Sequence, residues 1–533
     1  MPIRRLLALV LAAAGAAPAA SRAYDVVVYG GTAGGVIAAV SAARQGLRTA
    51  LVEPTAHLGG MVSGGLGWTD YGKKEVIGGY ALEFYWRVGN HYQMPRYGNE
   101  ISWLHEPHVA EQIFRDMLRT AGVGLFERQR LREKTGVRKR GTTVEAITTE
   151  DGSEFTAAVF IDAGYEGDLM AQAGITYTVG RESSSQYGES LAGVREKTPF
   201  HQFLVDINPR DAAGRLLPEI SPTPVAPAGS ADKKVQAYNY RMCFTDVPDN
   251  RRAFPRPANY DPVRYALLAR LIAAKPGPLS SYMKVDRLPN GKTDVNNNGA
   301  FSTDYIGGSY GYPDGTYAER ARIAQAHRDY IAGFLYFLAN DPQVPQALHN
   351  EMNTWGLCRD EFTDNDNWPY QLYIREARRM VGEYVVVQKD LQTDLTKPDP
   401  IGMGSYNSDS HNLERVVDEN GFVRNEGDMQ VAVKPYQIPY RVMLPKRAEA
   451  TNLLVTAAFS ASHVAYSSVR MEPQYMIIGQ AAGVAAKAAI EEKKAVQEID
   501  TEKLTKTLRD QGAVMEYVPN SQTQILQIVK KGK

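Results

Sequence analysis

Four glycines and one acid carry the first recognisable chemistry of this chain. Gly30, Gly31, Gly34 and Gly35 crowd the run GGTAGG, and Glu53 follows eighteen residues after Gly35. Glycine lets a backbone approach a ligand with no Cβ in the way. A helix opening at such a turn aims free amides, and the positive end of its dipole, at an anion. A carboxylate after the next strand accepts hydrogen bonds from ribose hydroxyls. These are the parts of a dinucleotide cradle, with a diphosphate at the turn and a ribose at Glu53. Thr32 stands where the middle glycine of the fingerprint is expected. Its hydroxyl is a candidate phosphate donor, at the expense of backbone room. No nucleophile elbow, H-E-x-x-H zinc motif or phosphate loop of the G-x-x-x-x-G-K type is expected, which leaves hydrolase and kinase readings without support.

The elements that must hold this cradle surround it. Tyr24 to Tyr29 reads as a buried parallel strand, Val36 to Ala43 as a small-residue helix that lies close on a sheet, and Arg48 to Val52 as a second strand. Residues 122–165 alternate as strands. The last, Ala157 to Ile161, ends at Asp162-Ala163-Gly164, and Gly167 or Asp168 opens a helix. Gly78 to Tyr92, Glu106 to Ala121 and Tyr317 to Leu338 read as core-packing helices, and Trp368 to Lys389 as a helix entered at Pro369. Ile438 to Pro445 and Asn452 to Ala457 read as strands. Pro473 starts a helix whose Gly479, Ala482, Gly483 and Ala486 permit close packing on the sheet.

The run after Glu53 separates two cofactors. A nicotinamide dehydrogenase would continue into another βαβ unit; here HLGGMVSGGLGW follows, with Gly59, Gly60 and Met61 at its centre. Such a loop suits a bulky flavin whose ribityl chain passes the backbone. Here the chain resembles the large FAD-dependent oxidoreductases related to succinate dehydrogenase and fumarate reductase flavoproteins. More closely, it is similar to a family of exported bacterial FAD-dependent oxidoreductases. The stretches GGTAGGV, HLGGMVSGG, FIDAGYEGDL, WPYQLYIREARRMVGEY, NLLVTAAFSASHVA and RMEPQYMIIGQAAG carry that likeness.

The resemblance implies FAD as cofactor and an α/β fold: a doubly wound, Rossmann-like FAD domain with an inserted α+β cap. It adds Asp162 and Ala163 to the cofactor set as a second strand end passing the cofactor. It also aims the N-terminus of the Pro473 helix at the flavin pyrimidine edge, which brings Ser460, Met471 and Pro473 into that set. A positive helix end there is physically sound, because reduced flavin carries negative charge. The protein must then position a substrate and move one proton, and histidine suits that near neutrality. Of nine histidines, His463 lies shortly before the flavin-facing helix, with Arg470 as an anion-binding neighbour. His411, in YNSDSHNLER, is a second candidate, facing the ring from the cap. His57 lies near the loop position where the succinate dehydrogenase relatives attach flavin covalently. Arg375 and Arg379 read as salt-bridge partners of Glu376 and Glu383.

Composition bounds the rest. At 533 residues the chain holds two domains, and its zero net charge offers no footprint for nucleic acid. Arg4 and Arg5, the apolar run Leu6 to Ala17 and Ser21-Arg22-Ala23 form a signal-peptide pattern, cleaved after Ala23 or a little before. The reading is residues 1–23 leader, 24–180 first part of the FAD domain, 181–434 cap, 435–495 second part, and 496–533 helical tail. Asp294-Val295-Asn296-Asn297-Asn298-Gly299 opens like a calcium loop but lacks the closing acid, Tyr305 standing in its place, and reads as a polar turn. Cys243 and Cys358 allow one bridge, but nothing in the sequence brings them together, and they read as two unrelated buried thiols. The function expected is an exported enzyme oxidising a small organic, polyhydroxylated substrate by hydride transfer to flavin, with oxygen or quinone as electron acceptor and no stable membrane insertion. A C=C reductase and a catalytically silent FAD-fold binding protein are the alternatives.

Overall fold

A computed structural model describes residues 21–531. Most of the leader reading, residues 1–20, lies outside them. The first strand, β1, runs Ser21–Tyr29, three residues longer at its start than Tyr24. It is followed by α1 (Ala33–Arg44) and β2 (Thr49–Val52), then α2 (Gly79–His91), α3 (Pro107–Ala121), β3 (Gly124–Phe126), β4 (Val137–Arg140), β5 (Thr143–Thr148) and β6 (Glu154–Asp162). The local signals are sound: Val26, Val27 and Val28 are fully buried, and α1 is made of Ala, Val, Ile and Gly that are buried almost throughout.

These strands form one sheet in the order β3-β2-β1-β6-β5-β4. The β1–β2, β2–β3 and β1–β6 pairs are parallel, with Tyr29 opposite both Val52 and Asp162. The free half of β6 takes a parallel strand from far along the chain, Leu453–Val455, with Val455 opposite Asp162. The strand ends therefore converge on one edge, where α/β sheets bind ligands. The long helix Glu472–Glu492 packs on α1 through glycines. A Cβ added at Gly34 would lie 2.8 Å from the Tyr475 carbonyl oxygen, and one at Gly479 would lie 2.2 Å from that of Gly34. Ser41 Oγ donates to the Gln480 carbonyl at 2.7 Å, tying the two helices further.

Between these two parts the chain forms small antiparallel sheets and the helix Tyr317–Asn340, whose Thr316 and Glu319 make a reciprocal capping box. Four expectations change. Trp368 to Lys389 is no helix: it holds only the strand pair Arg379–Met380 and the turn of helix that begins at Gln388. Its backbone bonds go to distant segments instead: Tyr373 N–H to Asn239 O at 2.8 Å and Met380 N–H to Ala458 O at 2.9 Å. The calcium-like run lies in the strand Thr293–Asn297, where Asp294 forms a two-bond ion pair with Arg241 at 2.7 Å. Ile438 to Pro445 is a strand only to Pro439, then a 3₁₀ turn. Cys243 and Cys358 are buried as expected but not unrelated: their sulfurs are 3.1 Å apart. Among the described residues no helix is long and apolar enough to cross a membrane.

Candidate active site

The glycine turn is built tightly. Thr32 caps α1, its Oγ1 accepting from Gly35 N–H at 3.1 Å and donating to Ala163 O at 2.8 Å. That hydroxyl is thus engaged in joining the two strand ends. The first-turn amides of Ala33 and Gly34 have no acceptor inside the helix. Glu53 accepts from Gly31 N–H at 2.6 Å and from Thr55 N–H at 2.7 Å, and burial raises its carboxyl above the usual range. The loop after it docks alongside the turn: Gly59 N–H donates to Gly31 O at 2.7 Å. A cavity of about 270 Å³ opens here, lined by Gly30, Thr32, Glu53, Arg130 and Gly164 on the sheet side and by Tyr312, Arg320 and Gln371 opposite.

From the turn the path leads to the helix Glu472–Glu492. Met61 N–H donates to Tyr165 Oη at 2.9 Å, and Tyr165 in turn donates to Glu472 Oε1 at 2.6 Å. Met471 caps that helix and Pro473 stands in its first turn. Glu472 Oε2 and Gln474 Oε1 are buried with no partner. Burial raises the Glu472 carboxyl to about 8, so it is a neutral acid near pH 7. Asp162, raised to about 7 by burial, accepts from Gly164 and Met170 N–H at 3.1 and 2.7 Å and so shapes the turn at Ala163. Ser460, shortly before the helix His463–Val469, accepts at its Oγ from Gly382 N–H at 3.0 Å.

The three candidate catalytic residues belong to one buried network. His463 Nδ1 lies 2.8 Å from Glu376 Oε2, and its own N–H donates to Glu182 at 2.9 Å. Burial raises the Glu376 carboxyl, but His463 and Arg379 outweigh that and bring it down to about 2. His411 Nδ1 lies 2.7 Å from Asp304 Oδ2, and burial together with Arg375 lowers the imidazole to about 4. Gln236 joins the pairs. Its Nε2 donates to Glu376 Oε2 at 2.9 Å and its Oε1 accepts from His411 N–H at 3.2 Å. Arg470 donates to Tyr373 Oη at 3.1 Å and to Asp409 O at 2.8 Å, while Arg375 stacks on the Tyr373 ring at 4.5 Å.

Other residues went unread in the sequence. Asp304, Gln236, Tyr373 and Tyr165 carry no local motif. His201, at φ +47°, lies with its ring parallel to that of His411, centroids 6.4 Å apart. Gly307 to Gly311 do spell G-x-S-x-G, the string of a hydrolase nucleophile elbow, against the expectation that none is present. Ser309 lies 3.2 Å from His327 Nε2, but His327 Nδ1 is bonded to Ile323 O rather than to an acid, and both side chains are fully buried. Arg379 does pair with Glu376 at 2.7 Å, whereas Arg375 pairs with Asp304. His57 stacks on Tyr370, with its ring nitrogens 3.3 Å from Glu111 and 3.0 Å from Asp364. Glu106, His108 and Glu361 cluster like metal ligands, yet the buried Lys292 ammonium already sits among Glu106, Asp360 and Glu361 at 2.9, 2.9 and 2.5 Å.

The sequence matches the family model described as FAD dependent oxidoreductase over residues 25–508. The chain belongs to that family. This flavoenzyme matches no curated protein. Solved structures similar to it include thioredoxin reductase from T. acidophilum, at 18% identity and TM-score 0.18, covering 26% of this chain and 35% of that one. Another is a geranylgeranyl bacteriochlorophyll reductase-like protein from Thermoplasma acidophilum, at 11% identity and TM-score 0.34, covering 96% and 99%. L-amino acid deaminase from Proteus vulgaris is similar at 16% identity and TM-score 0.23, covering 32% and 63%. The oxidoreductase spans 35–41% of the length of the first three such structures. Its own residues fit FAD. The glycine turn leaves amides for a diphosphate, Glu53 lines the adjoining cavity, and the orphaned polar atoms of Glu472 and Gln474 sit in the first turn of the packed helix.

Proposed function

We propose that the oxidoreductase oxidises a small polyhydroxylated molecule, taking a hydride from a carbon that bears a hydroxyl. FAD, when bound, supplies the two-electron acceptor. The observation that carries this reading is the joining of two histidine–carboxylate pairs by Gln236. Their electrostatics divide the work, as paired titratable groups in one site do. Glu376 stays anionic and stabilises a proton received by His463, which makes His463 the general base for the substrate hydroxyl. His411 stays neutral and orients a second hydroxyl.

Substrate class follows from what lacks a partner. Arg375 Nε, Arg470 Nε, Asn239 Oδ1 and Asn412 Nδ2 are buried without hydrogen bonds. Each such group costs about 1–3 kcal/mol if nothing reaches it. A mixture of orphaned donors and acceptors suits vicinal hydroxyls better than an apolar or singly charged substrate. Residues 181–434 then act as the cap that holds the substrate.

Export belongs to the same reading. The leader pattern supports it, and so does the pairing of Ser21 with Glu154, since cleavage before Ser21 would leave the strand whole. N-terminal sequencing of the mature protein tests this. The decisive functional test is anaerobic mixing of purified yellow protein with sugars, polyols, hydroxy acids and amines, followed by oxygen or quinone as acceptor. Bleaching of the flavin band by polyhydroxylated compounds is expected. Bleaching by amines alone, or reduction of a C=C acceptor with no alcohol oxidation, would overturn the reading.

A further inference from the structure

The two cysteines are 115 residues apart in sequence and meet in space. Residues Phe244–Thr245 and Gly356–Cys358 are antiparallel neighbours, with Gly356 opposite Thr245 and Leu357 opposite Phe244. One step further places Cys358 against Cys243, and Cys358 N–H donates to Cys243 O at 3.3 Å. Both side chains are almost wholly buried, and their sulfurs, 3.1 Å apart, are the chain's only two thiols. Around them lie Phe362 and Tyr370. Among the described residues no metal-ligand set surrounds the pair; the nearby Glu361 is held by the Lys292 ammonium.

We propose that Cys243 and Cys358 form a disulfide in the mature protein. The bond forms by exchange with a disulfide-bearing oxidant, either a protein dithiol oxidase or oxidised glutathione. One thiolate attacks the oxidant's sulfur and releases one of its thiols. The second thiolate then attacks the protein sulfur of the mixed disulfide and releases the oxidant's other thiol, so two protons and two electrons leave the pair and the oxidant ends as two thiols. Burial holds the Cys243 thiol well above its usual range, which leaves little thiolate once the fold has closed. The exchange therefore occurs during folding, while the strands are still accessible.

The bridge has a structural target. The segment that follows Cys358 carries Tyr370, whose hydroxyl donates to Ser63 O at 3.0 Å in the loop beside the glycine turn. Its next residue, Gln371, lines the cofactor cavity. Linking Cys358 to the neighbouring strand braces the segment that covers this cavity.

The test is chemical. Full-length protein is recovered from an oxidising compartment and, separately, refolded with FAD in a glutathione redox buffer. Thiols are then counted in denaturant. No reactive thiol before reduction and two after it are expected, with a non-reduced proteolytic peptide pair joining Cys243 to Cys358. Reduction, or the double variant C243S/C358S, should speed FAD release several-fold as followed by recovery of free-flavin fluorescence. Since serine can upset a buried site, C243A/C358V is run beside it and should behave alike. Two free thiols in both preparations would overturn the bridge. A bridge whose reduction leaves FAD release unchanged would overturn the bracing role.

Discussion

Replacing Glu472 by Gln should flatten the pH dependence of stability. Glu472 is buried at the start of the helix Glu472–Glu492, and burial lifts its carboxyl from the ordinary 4.5 to about 8. In the unfolded chain the same group ionises near 4.5. Between these values the folded state holds a proton that the unfolded state has lost, so stability falls as pH rises. The contribution is fully present below about pH 4.5 and gone above about pH 8. A shift of that size is worth about 5 kcal/mol at 1.36 kcal/mol per unit, and relaxation of the site brings the expected figure to about 2–5 kcal/mol. Glutamine keeps an acceptor for Tyr165 Oη and cannot ionise. At pH 5 the variant should therefore lie within about 1 kcal/mol of the parent, and at pH 8 it should be the more stable. Urea unfolding at pH 5, 6.5 and 8 with FAD at fixed excess measures the difference. Asp162 and Asp428, both raised to about 7 by burial, add slope to both proteins and cancel in the comparison. Parallel stability curves for the two would refute the assignment of a neutral Glu472.

His463→Gln and His411→Asn should each lower kcat by about 10²–10⁴ while flavin content and spectrum stay unchanged; loss of flavin in either would place that histidine in cofactor binding instead. Glu53→Ala should weaken FAD binding about 10–150-fold, the worth of one charge-assisted hydrogen bond, in a fluorescence titration of apoprotein. Acid precipitation should leave all yellow colour in the supernatant, because both ring nitrogens of His57 are already held by Glu111 and Asp364; colour in the pellet would show a covalent flavin.

The parts legible in the sequence are those whose signals are local. β1, α1, β2 and Glu53 lie within thirty-three residues, and strand, glycine turn and helix each announce themselves by composition. The helix at Pro473 is equally plain, with proline at its start and small residues along it. Trp368 to Lys389 misleads because Arg375 and Arg379 sit at helical spacing for another reason: an extended backbone sends them to different buried acids, Asp304 and Glu182. The histidine pairs were half legible. His411 and His463 stand out by type, but Asp304 is 107 residues from the one and Glu376 is 87 from the other, and no local pattern joins them. The cysteines fail for the same reason across a still longer gap. Long-range pairing in a folded interior leaves no periodicity to read.

The helix that closes on Gly34, Glu472–Glu492, is made long after the turn it packs against. Ser41 and Gln480, which touch, are 439 residues apart, and Leu453–Val455 completes the sheet that Ser21–Tyr29 begins. A ribosome must therefore release the chain through that helix before a flavin meets a finished pocket. Fragments cut short anywhere ahead of Glu472 should emerge colourless, and pigment in a preparation reports chains translated past that helix.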